Sequence, residues 1–222
     1  MPSAKPELFT FWEGPKPDYI KMCQLALLRH CHKSFDVKIL DEKSAEALVG
    51  RSLPFRTWNH KTDWLKCELI RTRGGFWIDA DMLVMKDFIS YMRYLDDREF
   101  IGIPGFFGAR RGAGILNDWS AAMANIKDPA FSDLIQPLIT DKRFMEFVPL
   151  TRENICPIYH TGDSFWRFFD PIPLSAFVTD DTHIVTLYNS SFSDKFKAMS
   201  SMDILTQPWL LSKMFKRALF DV

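Results

Sequence analysis

Net charge is missing from this chain: 28 Lys and Arg are balanced by 28 Asp and Glu. No overall field therefore draws it to nucleic acid or repels phosphate, and an anionic ligand has to be captured locally. Long apolar runs are missing too, since no window approaches the roughly 20 residues needed to cross a bilayer. The N-terminus, Met-Pro-Ser-Ala-Lys-Pro-Glu, lacks a basic segment followed by an apolar one, so the chain reads as soluble, cytoplasmic and not secreted. The four cysteines, Cys23, Cys31, Cys67 and Cys156, show no CxxC spacing. Cys23 and Cys31 fall two turns apart on one expected helix, too far to bridge each other, so free thiols are expected. Repeats, low-complexity stretches and a clear linker are absent as well.

What remains is an ordinary globular composition over 222 residues, 47% hydrophobic and 25% charged, enough for one sizeable core. One domain spanning 1–222 is expected. The aromatic run at Glu7 to Trp12 stops at Gly14-Pro15 and reads as a first strand. Asp18 to Cys31 carries Ile20, Cys23, Leu27, Leu28 and Cys31 at helical spacing. A strand at Val37 to Leu40, a short helix and a longer helix from about Lys61 to Arg73 follow. Strands and helices alternate, which predicts an α/β fold with a mainly parallel central sheet flanked by helices.

Gly74-Gly75 ends the long helix, and Phe76-Trp77-Ile78 enters a strand whose end meets Asp79-Ala80-Asp81. Open α/β sheets bind ligands at the carboxyl ends of their strands. Further on, the pattern gives strands at Phe100 to Ile103, Phe106 to Arg110, Ile155 to Tyr159 and Thr182 to Tyr188. It gives helices at about Ala113 to Ile126, Phe131 to Ile139 and Met202 to Phe220, with a helical or turn segment from Asp163.

Side chains alternate along an extended backbone, so Asp79 and Asp81 point the same way and can approach one cation. Hard oxygen ligands suit Mg²⁺ or Mn²⁺, which take further ligands from water and substrate phosphates. A short acidic motif arises often by chance, so the helix, double glycine and apolar strand before it carry the argument.

The stretch Thr62-Asp63-Trp64-Leu65-Lys66, followed by Arg73-Gly74-Gly75-Phe76-Trp77-Ile78-Asp79-Ala80-Asp81-Met82, resembles the signature of the DXD sugar-transferase family. That family includes capsular polysaccharide and mannosyl transferases, and glucosylating toxin domains are similar. More loosely, the chain resembles glycosyltransferase domains of large algal viruses, which would place it in a host cytoplasm. The resemblance covers about 20 residues closely. It implies a GT-A fold, with about 1–110 as the nucleotide-sugar-binding half and about 111–222 as the acceptor-side half with the C-terminal helix. It also implies a nucleotide-diphosphate sugar donor, UDP favoured and GDP the alternative, and a glycan or glycoprotein acceptor. A hexose or deoxyhexose would be transferred.

By the same resemblance, Trp12 lies beside the nucleobase, and Asp63 binds donor sugar or ribose hydroxyls. Lys66 stands where the family has arginine, losing that residue's bidentate fork. Trp77 fills the aromatic position before the acids, Asp79 contacts ribose and metal, and Asp81 is the principal metal ligand. Asn189 completes metal or diphosphate binding, with His183 as the second choice of ligand, although a lone strand histidine is commonly a packed one. Asp163 stands at the acceptor side, as a base if the enzyme inverts or simply as a helix N-cap. Without the family pattern, Asp63 and Lys66, three apart on a helix, read as an exposed ion pair worth about 0–1 kcal/mol. Arg110-Arg111 reads as solvated.

Two other classes compete. A haloacid-dehalogenase-like phosphatase would use Asp79 as nucleophile, Asp81 as acid and Asp180-Asp181 as a later metal pair. Leu83 sits where that family wants Thr or Val, and no suitable lysine motif lies between. A non-catalytic sugar-binding module would explain seven tryptophans and twenty phenylalanines, although such abundance more often builds cores. The tail Pro208 to Arg217 combines basic and aromatic residues and suits either a membrane surface or packing against the sheet.

Overall fold

A computed structural model describes residues 4–130, 132–146, 150–159 and 162–221, with only the backbone of 145, 146, 152, 162 and 163. In chain order the elements are β1 (Glu7–Phe11), α1 (Asp18–Cys31), β2 (Asp36–Leu40), α2 (Glu42–Val49), α3 (Trp58–Arg73), β3 (Gly75–Ile78) and β4 (Met82–Val84). These are followed by α4 (Tyr94–Asp97), β5 (Phe100–Ile103), β6 (Phe106–Ala109), α5 (Gly114–Met123), α6 (Gln136–Ile139), α7 (Lys142–Glu146) and α8 (Arg152–Ile155). The last are β7 (Ile184–Thr186), α9 (Asp194–Lys197), α10 (Ser201–Thr206) and α11 (Leu210–Phe220). The chain forms two compact units: residues 1–13, 35–79 and 90–149 make the first, and 14–34, 80–89 and 150–222 the second.

The first unit holds a five-stranded sheet in the order β2-β1-β3-β6-β5. β1 pairs in parallel with β2 and β3, whereas β6 runs antiparallel to β3 and β5, so the sheet is mixed and its parallel part carries the acidic motif. The hairpin of β5 and β6 needs only a tight turn, while a parallel neighbour would require a crossover helix, and residues 104–105 leave no room for one. Phe9, Phe11 and Trp77 on one face pack with Leu65, Leu69 and Ile70 of α3 and with Leu116 and Trp119 of α5.

Gly74 and Gly75 position the start of β3. Gly74 has φ +77 and caps α3 through its N–H on Ile70 O, as expected of a glycine after the last turn. Gly75 has φ +98, and a Cβ there would lie 2.4 Å from Glu7 O, so β3 can pair this closely with β1 only without a side chain.

The second unit packs α1, α10 and α11 around a two-stranded antiparallel sheet of β4 and β7. Its core includes Tyr19, Ile20, Cys23 and Leu27 of α1, Leu83 and Val185 of the sheet, and Leu211, Met214 and Phe215 of α11. Phe165, Phe169, Phe192, Phe196 and Trp209 add a chain of edge-on and tilted ring contacts. Most aromatics thus serve packing. Among the described residues Trp58 and Trp166 are the tryptophans left largely in water.

Several expectations are corrected. Ile155 to Tyr159 is no strand: Ile155 ends α8, and the segment beyond it is irregular. Helix α6 is shorter than expected, beginning at Gln136, and Phe131 lies outside the described residues. The expected tail helix is two helices, α10 and α11, because Pro208 cannot continue the first. The apolar face of α11 (Leu210, Leu211, Met214, Phe215, Ala218) is buried within the second unit and therefore not available to lipid. Among the described residues no helix is long and apolar enough to cross a membrane. All four cysteines are free and buried.

Candidate functional site

Asp79 follows β3 directly, at the carboxyl end of the parallel part of the sheet. Its backbone N–H donates to Gly105 O at 2.7 Å, which ties the residue to the β5–β6 turn. Its carboxylate Oδ1 accepts the indole N–H of Trp77 at 2.7 Å and lies 3.9 Å from Lys66 Nζ. Trp77 is fully buried, so its ring is fixed by packing and its N–H orients the acid.

Lys66 is buried on α3 and pairs with Asp63 at 2.7 Å, with side chains only 5% and 14% exposed. An exposed ion pair is thereby ruled out. Two charges removed from water need each other, and removing either leaves the partner costly to bury. One turn earlier on the same helix, Lys61 is buried between Glu13 at 2.8 Å and Glu42 at 2.5 Å. Burial alone would lower the Lys61 pKa, but the two carboxylates outweigh it and hold it above the ordinary lysine value. Glu13 Oε2 is a buried oxygen without a hydrogen-bond partner among the described residues. Lys61 and Glu13 carry no local motif; the available signal is that Lys61 lies three and four residues before the apolar Trp64 and Leu65 on α3. Trp12 sits just past β1, partly buried, its backbone N–H donating to Leu40 O at 3.0 Å.

In the second unit Asp81 stands immediately before β4. Its carbonyl accepts the N–H of Leu187 at 3.0 Å, and its carboxylate Oδ2 accepts the N–H of Asn189 at 2.7 Å. Asn189 opens a single 3-10 turn after Tyr188, whose φ of +56 turns the chain sharply out of β7. That left-handed residue is what aims the Asn189 amide at the acid. The Tyr188 hydroxyl lies 2.5 Å from Cys156 Sγ. The Asn189 Oδ1 accepts the hydroxyl of Tyr19, a fully buried residue of α1. Burial and then the charge of Asp81 push the Tyr19 pKa up, so the ring stays protonated. Burial, then Asp81, likewise raises the Cys23 thiol.

The structure does not bring His183 to this position. The register of β4 on β7 sets Met82 opposite Thr186 and Val84 opposite Ile184, and His183 O accepts the N–H of Met85. Met85 is four residues beyond Asp81, about 13 Å at the rise of an extended chain. The His183 ring bonds Asp87 O at 2.9 Å through Nδ1, and burial followed by nearby Lys86 lowers its pKa, as for a packed histidine. Asp180 and Asp181 precede β7 at that same remote end, so they offer Asp81 no second acidic pair. Thr186 bonds Ile155 O at 3.0 Å in the interior. Asp163 falls within the 3-10 segment Gly162–Phe169, but its side chain, like His160 and Thr161, lies outside the described residues. Arg110 and Arg111 are exposed.

Among the described residues no group of three or more His, Cys, Asp or Glu is gathered as a metal cage. Mg²⁺ and Mn²⁺ do not require one, because they use one or two carboxylates and take the remaining oxygens from water and phosphates. Asp81, with its carboxylate already oriented by a main-chain amide, fits such a role.

No family model matches the sequence, and no curated protein matches it either. Solved structures do. The fold is similar to that of the glycosyltransferase GlyE from Streptococcus pneumoniae TIGR4 in its apo form, with a TM-score of 0.54 at 11% identity over 98% of this chain and 64% of that one. A second GlyE structure aligns with a TM-score of 0.50 at 13% identity and the same coverage. The chain thus spans 64% of the length of these GlyE structures, and it has a glycosyltransferase-like α/β fold with a mixed five-stranded sheet.

Proposed function

We propose that this chain is a metal-dependent glycosyltransferase that moves a hexose or deoxyhexose from a nucleotide-diphosphate sugar to a glycan or glycoprotein hydroxyl. UDP is the favoured base and GDP the alternative. The supporting observation is the state of the two acids. Each carboxylate of Asp79-Ala80-Asp81 is oriented by a hydrogen bond, one from a buried indole and one from a main-chain amide, next to a strand of a glycosyltransferase-like fold. Pre-oriented groups lose little freedom when a ligand arrives.

In this reading Asp81 is the principal holder of Mn²⁺ or Mg²⁺, Asp79 meets the ribose and the ion, and Asn189 completes the ion or diphosphate contact. The cation, when bound, supplies Lewis-acid stabilisation of charge on the departing diphosphate. Lys66 places its charge 2.7 Å from Asp63 and 3.9 Å from Asp79, and Asp63 offers an acceptor to sugar or ribose hydroxyls. Trp12 offers an aromatic face to the base. Asp163 is the candidate to take the acceptor proton if configuration inverts.

The test is release of nucleoside diphosphate from UDP- and GDP-hexoses with Mn²⁺, with and without sugar acceptors, beside a generic phosphate ester. Metal-dependent release from a sugar nucleotide supports the proposal. Turnover of the phosphate ester alone would move the chain to the phosphatase class, and tight nucleotide binding without turnover to a binding module.

A further inference from the structure

We infer that Asn189 presents its amide N–H groups, not its carbonyl, to the ligand, and that Tyr19 is the positioning residue that fixes this polarity. The inference rests on the reading proposed above and names the chemistry of one of its contacts: Asn189 meets the anionic diphosphate rather than the cation.

A carboxamide has one acceptor end and one donor end, and whichever is used internally leaves the other for a ligand. Tyr19 is fully buried and donates its hydroxyl to Asn189 Oδ1. A buried hydroxyl deprived of its partner is costly, so this bond is maintained. Edge-on packing of the Tyr19 ring against Phe192, with centroids 5.4 Å apart, and tilted packing against Phe196 at 5.3 Å keep the hydroxyl from swinging elsewhere.

The second constraint comes from Asp81. Its Oδ2 already rests on the main-chain N–H of Asn189 at 2.7 Å, so the carboxamide lies within one residue's length of a negative charge. Turning the amide over would set its NH₂, in place of the carbonyl oxygen that accepts the bond, against the tyrosine hydroxyl. A negative charge at that range also disfavours a second oxygen turned towards it. The bond to Tyr19 therefore leaves a carboxamide that offers two N–H donors. Such donors suit phosphate oxygens and cannot ligate a cation. The strained turn at Tyr188, φ +56, sets the residue in place, and the partner on α1 sets its polarity.

Two isosteric substitutions test this, with Mn²⁺ and UDP as the probes. Asn189→Asp keeps the shape and replaces both donors with an acidic oxygen. Tyr19→Phe keeps the ring packing and removes only the hydroxyl. Binding of Mn²⁺ alone is followed by the paramagnetic signal of the free ion, and UDP binding by titration at saturating Mn²⁺. Asn189→Asp is expected to weaken UDP about tenfold or more, as for a lost hydrogen bond to a charged group, while Mn²⁺ alone binds no more weakly than to wild type. Tyr19→Phe is expected to weaken UDP about threefold with Mn²⁺ unchanged, and the double variant to bind no more weakly than Asn189→Asp alone, because both act through one group.

Tighter UDP and Mn²⁺ binding by Asn189→Asp would show a cation ligand and overturn the inference. Independent, additive losses in the double variant would remove Tyr19 from the account. A wild-type chain that binds none of the nucleoside diphosphates overturns the proposed function and this inference together, whereas a wild type that binds and an Asn189→Asp variant that binds equally overturns the inference alone.

Discussion

Asp79 and Asp81 are separated by a single residue, and their carboxylates are held by different kinds of group. Asp79 ends the larger sheet, and its carboxylate is held by side chains: the Trp77 indole and, at 3.9 Å, Lys66 with its partner Asp63. Asp81 begins the smaller sheet, and its carboxylate is held by the main-chain amide of Asn189. Each acid is therefore vulnerable in a different place. The surroundings of Asp79 can be dismantled by point substitution, at a cost in stability. Those of Asp81 follow from the path of the chain through Tyr188, so substitutions at Asp81 itself should report on ligand binding with the fold intact.

The largest effect should come from Asp81→Asn. Metal-dependent UDP affinity should drop at least about a hundredfold, roughly 2.7 kcal/mol, with little change in the apo melting temperature. A collapse of the apo protein would erase the contrast with Asp79. Next, Lys66→Met leaves Asp63 buried without its partner and should lower unfolding stability by about 3–5 kcal/mol in urea titration. A loss below about 1 kcal/mol would show that the pair behaves as a solvated one. Trp77→Phe removes a hydrogen bond to a charged acceptor and leaves a small void, for an expected loss of about 2–3 kcal/mol. Its signature beyond packing is weaker metal-dependent UDP binding, since Asp79 loses its orienting donor.

The smallest effect concerns His183. Its folded pKa is depressed, so the unfolded chain binds more protons as pH falls from the ordinary histidine value near 6.5 towards the lowered one. Stability contributed by the neutral, packed ring is complete above about pH 6.5 and is lost as pH falls through that window. His183→Asn should flatten the stability curve there and leave Mn²⁺ binding unchanged. A loss of Mn²⁺ binding would return His183 to the metal site and contradict the β4–β7 register.

Much of the first unit was legible in the residues because its signals are local. The aromatic strand before Gly14, the periodic helix ending at Gly74 and the apolar entry to Asp79 each announce themselves within a few residues. The double glycine marks a helix stop, yet Gly75 answers equally to the close approach of Glu7 on another strand, which no local pattern records. Strand β4 went unrecognised because Met82 to Val84 is a three-residue apolar run with no alternation, and its partner β7 lies a hundred residues away. Helix periodicity showed that Asp63 and Lys66 share a face. Only tertiary packing shows that this face is buried, that Lys61 accompanies it, and that Tyr19 reaches Asn189 across 170 positions. The family resemblance marks Asp81 and Asn189 separately, and the hydrogen bond between them is a tertiary contact that no local pattern records.

The central claim is tested most directly by the thermal stability of the wild-type chain with UDP, in the presence of Mn²⁺ and then of a chelator, beside Asp81→Asn. A ligand that binds only the native state raises the melting temperature by mass action. The account predicts an upward shift that needs the cation and is absent from the variant. An equal shift with the chelator present, or in Asp81→Asn, would contradict it.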